Sequence, residues 1–246
     1  MQAESHVRQV DKPAGRFPDR PPRWLTRTLW TLTYFLVLIG IAIVVRRAAT
    51  LLGPSPAVPR FDSGFAQHPV LTMLHITPGL LFVLLGPLQF MPKLRKRSPR
   101  LHRVTGRIFI VSGLIVGVTA LVMSPQMAIG GINEMAATML FAVIFLFALV
   151  RAFLYIRRGN VALHREWMIR AFAIGLAVAT IRPIMGIFFA TSRLTHLTPQ
   201  QFFGTAFWLG FTIQTIVAEV WINYTRPQRS RINSLSRTRA MRSSSE

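Results

Sequence analysis

Residues 108–150 read "IFIVSGLIVGVTALVMSPQMAIGGINEMAATMLFAVIFLFALV", and Glu134 is the one charged side chain in the stretch. A helix needs about twenty apolar residues to cross the roughly 30 Å hydrocarbon layer of a bilayer. The stretch holds most of two such runs, parted where Ser124-Pro125 and Gly130-Gly131 supply turn residues. It therefore reads as two membrane spans joined by a short turn, the third covering about 101–123 and the fourth 135–156.

The same reading extends in both directions. Upstream, a first span covers 24–45 and ends at Arg46-Arg47, and a second covers 69–91 and ends at the basic run from Lys93 to Arg97. Downstream, a fifth covers 167–190, and a sixth covers 201–222 and stops ahead of Arg226-Pro227. The composition agrees: 51% of the 246 residues are hydrophobic, 15% are charged and the mean hydropathy is +0.41, too apolar for an ordinary soluble domain. The expected fold is an all-α polytopic transmembrane bundle of about six spans over residues 24–222. The tails, 1–23 and 226–246, are basic, rich in Arg, Pro, Ser and Gln and without apolar periodicity, so they are expected to be disordered. The first span is expected to remain as an anchor, since its uncharged stretch exceeds a signal-peptide core and no small-residue cleavage site follows.

A formal net charge of +21 would suggest nucleic acid in a soluble chain, but here its placement argues for topology and against a specific nucleic-acid partner. With the N-terminus inside, the inner segments hold 22 Lys and Arg, whereas the outer loops hold Arg46, Arg47, Arg60 and Arg193. That asymmetry predicts both termini on the cytoplasmic side, with the tails attracted to anionic headgroups.

The chain has no cysteine, which excludes disulfides, iron–sulfur clusters, thiolate haem and cysteine nucleophiles. Histidine is left as the main side chain for metal or proton chemistry. Two of the six histidines stand in a repeated setting: His102-Arg103 lies four and five residues after Ser98, and His164-Arg165 lies four and five after Asn160. Ser98 before Pro99, and Asn160 after Gly159, both read as helix starts. Both helices run from inside to outside, so the two pairs should share one depth. Arg107 follows Arg103 by one helical turn and Arg170 follows on the fifth span, while Glu219 approaches from the sixth. Arginines in excess of carboxylates at helix N-termini suit an anion such as a lipid phosphate or a haem propionate. The plainer reading is that both pairs snorkel into the headgroups and fix orientation.

Nearer the other face, His75 and Arg182 lie at comparable depth on the second and fifth spans. Charge at such depth is costly and usually faces the bundle interior or a wet cavity. Pro78 and Pro183 each remove one helical hydrogen bond beside these residues. A polar pocket is expected here, lined by His75 and Arg182 with Glu134, Gln126 or His68 as further candidates. The plainer alternative is an internal hydrogen bond for His75 and an outward-reaching Arg182. Gly113 and Gly117 have the spacing that lets membrane helices approach closely.

The segments "HITPGLLFVLLGPLQF" (75–90), "SPRLHRVTGRIFI" (98–110), "RRGNVALHREWMIRAFA" (157–173) and "ATIRP" (179–183) resemble the family of predicted bacterial membrane proteins called domain of unknown function 2306. The resemblance covers about residues 68–190, spans two to five. It implies a bacterial cytoplasmic-membrane protein and a family pattern that includes His75, Gln89, His102, Arg103, Gly106, Arg107, His164, Arg165, Arg170 and Arg182. It implies no activity.

Three function classes remain. The first is a transporter or membrane enzyme holding an anionic or amphiphilic, lipid-like molecule between helices. The second is a redox protein with haem b ligated by His102 and His164. The third is an accessory membrane protein without chemistry. No Ser-His-Asp set, phosphate loop or HExxH motif supports a named hydrolytic reaction, and oligomeric state has no signature in the sequence. The charge asymmetry makes a direct prediction: cysteines replacing Ala57 and Thr195 label with an impermeant maleimide from outside the cell, and cysteines replacing Arg97 and Asn160 do not. Outside labelling of Asn160→Cys would overturn the topology.

Overall fold

A computed structural model describes residues 21–53 and 63–226. Among these residues all regular structure is helical: α1 (Arg23–Leu52), α2 (Ser63–Gln67), α3 (Pro69–Phe90), α4 (Pro92–Arg97), α5 (Pro99–Met127), α6 (Gly131–Arg157), α7 (Val161–Thr195) and α8 (Pro199–Thr225). Six of them are long and apolar enough to cross a membrane. The chain is a polytopic all-α bundle. The tails expected to be disordered lie almost wholly outside the described residues.

Local chemistry explains where the helices begin. Asn160 accepts from the Leu163 amide at 3.1 Å and starts α7, while Gly159, at φ 72°, takes the left-handed conformation that reverses the chain after α6. At α8, Thr198 and Gln201 close a capping box ahead of Pro199. Ser98 does precede α5, with Pro99 in the first turn, but its side chain makes no capping bond. Helix α5 runs through Pro125, and α3 and α7 run unbroken through Pro78 and Pro183. Each proline forfeits one backbone bond and leaves the flanking turns intact, so no helix ends at Pro78, Pro125 or Pro183.

Successive helices pack side by side: α5 on α3 and α6, α6 on α7, and α7 on α8. Helix α1 stands apart, touching α3 and α7 and burying little beyond Val37. One end of the bundle gathers α4 and the α6–α7 turn with the start of α1 and the end of α8, and is the basic end. The outer surface is studded with exposed Leu, Val, Ile and Phe, as contact with lipid requires.

In lipid there is little hydrophobic drive between helices, so close packing must hold them together. Large rings seated against glycines do so here. Phe82 of α3 stacks on Phe109 at 4.2 Å and meets Phe145 edge-on at 5.4 Å. A Cβ on Gly175 would lie 2.3 Å from the Phe82 ring, and one on Gly86 would lie 2.0 Å from Phe172. The Gly113 and Gly117 pair works in the same way, against Leu149 and Leu146 of α6.

These contacts make a ranked expectation. Gly175→Ala and Gly86→Ala force a buried ring to move and should each cost about 1–3 kcal/mol. Gly186→Ala, whose Cβ would meet nothing within 4 Å, should cost nothing measurable. Thermal unfolding in detergent checks the order.

Candidate functional site

All six long helices line one cavity of about 250 Å³ in the half of the bundle away from the basic end. Its deep walls are apolar, formed by Phe82, Phe145, Gly175 and Ile174. Toward the far end the lining becomes polar, with Arg47, His75, Glu134 and Arg182. His75, Arg182 and Glu134 of the sequence reading thus line one space. The other two candidates do not: Gln126 and His68 are exposed and lie outside the lining.

The fold positions each polar group. Glu134 sits in the first turn of α6 and is 6% exposed; its carboxylate accepts from the Gly130 amide at 2.6 Å, so the turn between α5 and α6 holds it. A helix N-terminus favours that negative charge. Arg182 of α7 is near enough to interact with it electrostatically, and its Nη1 also reaches Met185 Sδ at 3.6 Å. Arg47 of α1 lies over the Phe65 ring at 4.3 Å, joining α1 to α2. Helix α2 is in turn fixed to α3 by the Thr72 hydroxyl, which donates to the Phe65 carbonyl at 3.0 Å.

His75 Nδ1 is 2.9 Å from the Thr119 hydroxyl. That hydroxyl lies 2.7 Å from the Ile115 carbonyl, to which it donates its proton, so the imidazole donates at Nδ1. Arg47 and Thr119 were not singled out in the sequence. Arg47 sits in a double-arginine helix end that reads as topology, and a threonine in an apolar helix carries no pattern of its own.

The basic end is organised differently. Arg170 grips Glu219 with two bonds, 2.5 Å from Nε and 2.9 Å from Nη2, and has Glu166 at 3.9 Å. Glu166 also binds Arg226 at 2.8 and 3.1 Å. The network pins α8 to α7. His164 donates from Nδ1 to the Ala152 carbonyl at 2.8 Å, which orients the ring against α6. His102 and His164 are near enough to repel electrostatically, and Arg95 of α4 lies near His102 and Arg165. Yet α5 and α7 do not pack along their length; each packs on α6. Arg103, Arg107 and Arg165 are exposed, and Arg170 is taken by carboxylates. Of the seven residues of the expected inner site, Arg170 and Glu219 are bonded to each other and His102 and His164 lie near one another, while Arg103, Arg107 and Arg165 are exposed. Gln89 and Gly106 form a joint between α3 and α5: Gln89 donates to Thr105 at 2.8 Å, and its Oε1 would lie 3.0 Å from a Cβ on Gly106.

A family model described as "Predicted membrane protein (DUF2306)" matches residues 72–222, from the first turn of α3 almost to the end of α8. The chain belongs to that family. The DUF2306 segment thus includes the sixth span, beyond the resemblance seen in the sequence, and excludes α1 and α2. No curated protein and no solved structure matches the chain. Of the four titratable side chains lining the cavity, the DUF2306 segment contributes His75, Glu134 and Arg182, while Arg47 comes from outside it.

The ion-pair network predicts unequal losses. Glu219→Gln leaves Arg170 with Glu166, and Glu219 is 39% exposed, so the cost should be about 1 kcal/mol or less. Arg170→Gln strands Glu219 and weakens the hold on Glu166, and should cost about twice as much. Thermal melts of the single and double variants measure the difference.

Proposed function

We propose that this DUF2306 protein is a multi-pass protein of the bacterial cytoplasmic membrane, with both termini inside, that holds a lipid-like amphiphile between its helices. The observation that carries this reading is the cavity's division into an apolar depth and a charged rim. An amphiphile matches it part by part: a hydrocarbon tail against Phe82, Phe145 and Ile174, and a head at Arg47, Arg182, Glu134 and His75. The lining includes the Arg47 and Arg182 guanidiniums, whose planar forks suit an anionic head. Its volume approaches the lower end of small-ligand pockets, at about 300 Å³. Binding is the step shared by the two roles that the sequence leaves open, transport and membrane catalysis.

Haem b between His102 and His164 is the alternative, and the packing beside those histidines supports it less well. Two turns on from His102 stands Phe109, and two turns on from His164 stands Phe172; with Phe82 and Phe90 they form a continuous ring cluster. A macrocycle reaching into the bundle from the histidines would need that volume.

Gly79 supplies the test, because a Cβ there would meet only Val116, at 3.8 Å, beside the cavity. Gly79→Phe should therefore fill the cavity without disturbing the helix. Lipid extraction and mass spectrometry of purified wild type should find an amphiphile near one per chain, lost in Gly79→Phe at unchanged melting temperature. Equal retention by Gly79→Phe would overturn the reading. A b-type α-band in the reduced-minus-oxidised spectrum, abolished by His164→Ala, would favour haem instead.

A further inference from the structure

Arg151 lies six residues before the basic end of α6, about 9 Å along the helix at 1.5 Å per residue. Among the described residues no carboxylate stands within ion-pair distance of it. Its Nη2 donates to the Tyr155 hydroxyl, and its Nε is buried without a partner. The guanidinium is hemmed by aromatic rings instead, 4.8 Å from Tyr155, 5.6 Å from Trp167 and 5.8 Å from Phe147. Arg170 lies over the same Trp167 ring at 4.7 Å, but its charge is met by Glu219 and Glu166. Of the two arginines at this tryptophan, Arg170 has its counter-charge in the protein, and Arg151 has none among the described residues.

A guanidinium at this depth has three ways to lower its cost: a protein carboxylate, aromatic faces, or an anion from the surrounding phase. The first is absent among the described residues and the second accounts for its faces. Its edge still carries donors beyond the one given to Tyr155. Phe147, Val150 and Leu154, on the same stretch of α6, are exposed to the lipid phase at 52%, 47% and 42%. The surrounding phase at this level is the headgroup-to-acyl boundary of one leaflet, where phosphodiesters are the anions at hand.

We infer that Arg151, with Trp167 and Tyr155 beside it, forms a site for the phosphate of an anionic phospholipid, whose acyl chains lie along the exposed apolar face of α6. The site is separate from the cavity, on the outside of the bundle and nearer its basic end. The planar fork of Arg151 suits two phosphate oxygens at once, and the aromatic rings hold that fork in place.

The test uses the full chain in detergent with phosphatidylglycerol, phosphatidylcholine of the same acyl chains, or inorganic phosphate. Wild type should bind phosphatidylglycerol about fivefold more tightly than phosphatidylcholine by native mass spectrometry, the preference that one well-placed arginine supplies. Arg151→Gln should bring the two lipids to parity, while Arg193→Gln, an exposed arginine at the opposite end, keeps the preference. Competition by millimolar inorganic phosphate would show a free-anion site and overturn the lipid assignment; so would a preference that survives Arg151→Gln. Should Arg151→Gln fail to fold, quenching by brominated lipids decides. Brominated phosphatidylglycerol should quench the wild-type tryptophan emission more than brominated phosphatidylcholine, and Trp167→Phe should erase the difference. Equal quenching in wild type would refute the site, and failure of Gly79→Phe to lose its amphiphile would leave it untouched.

Discussion

The ring of Phe82 is the contact on which the interior depends. It rests on Phe109 of α5, meets Phe145 of α6 edge-on and occupies the room left by Gly175 of α7, so one side chain joins four helices. Without a solvent that drives apolar surfaces together, such shape fit must supply the cohesion. The same ring is part of the cavity lining. It therefore does two jobs at once, closing the bundle on one side and bounding the open space on the other. The polar groups divide accordingly: His75, Glu134 and Arg182 line the space beyond it, and His102 and His164 lie toward the basic end.

Charge at the basic end follows a different rule. There the sequence places more arginine than carboxylate, and the structure spends the carboxylates on position. Glu219 and Glu166 lock Arg170 and Arg226 and so join α7 to α8. Of the arginines left over, Arg103, Arg107 and Arg165 are exposed.

How much of this could be read from the residues follows from the range of each interaction. Membrane spans are legible because hydrocarbon thickness acts on each run by itself, and 108–150 alone reveals two of them. The helix start at Asn160 is legible because capping acts over three residues. The cost of burying His75 and Arg182 marks them without knowledge of their neighbours, and both line the cavity. Pairings between distant residues are another matter. Glu219 could be placed near the basic end but not assigned to Arg170, 49 residues away, because many registers of α7 against α8 satisfy the same hydropathy. The shared offset of the two histidine–arginine pairs gives their depth and says nothing of lateral placement, which the packing of both helices on α6 determines.

Helix α1 has a consequence for how the family can diversify. It buries little of itself, packs mainly on α3 and α7 and lies outside the DUF2306 segment, yet Gly40, Ile43, Val44 and Arg47 form one wall of the cavity. The segment that defines the family and the stretch of chain that shapes the cavity need not coincide. Here one wall can be exchanged by changing a single loosely held helix, while His75, Glu134, Arg182 and the Phe82 packing stay as they are. The shape of the cavity can thus be altered at little cost in stability, through a segment that the family model does not cover.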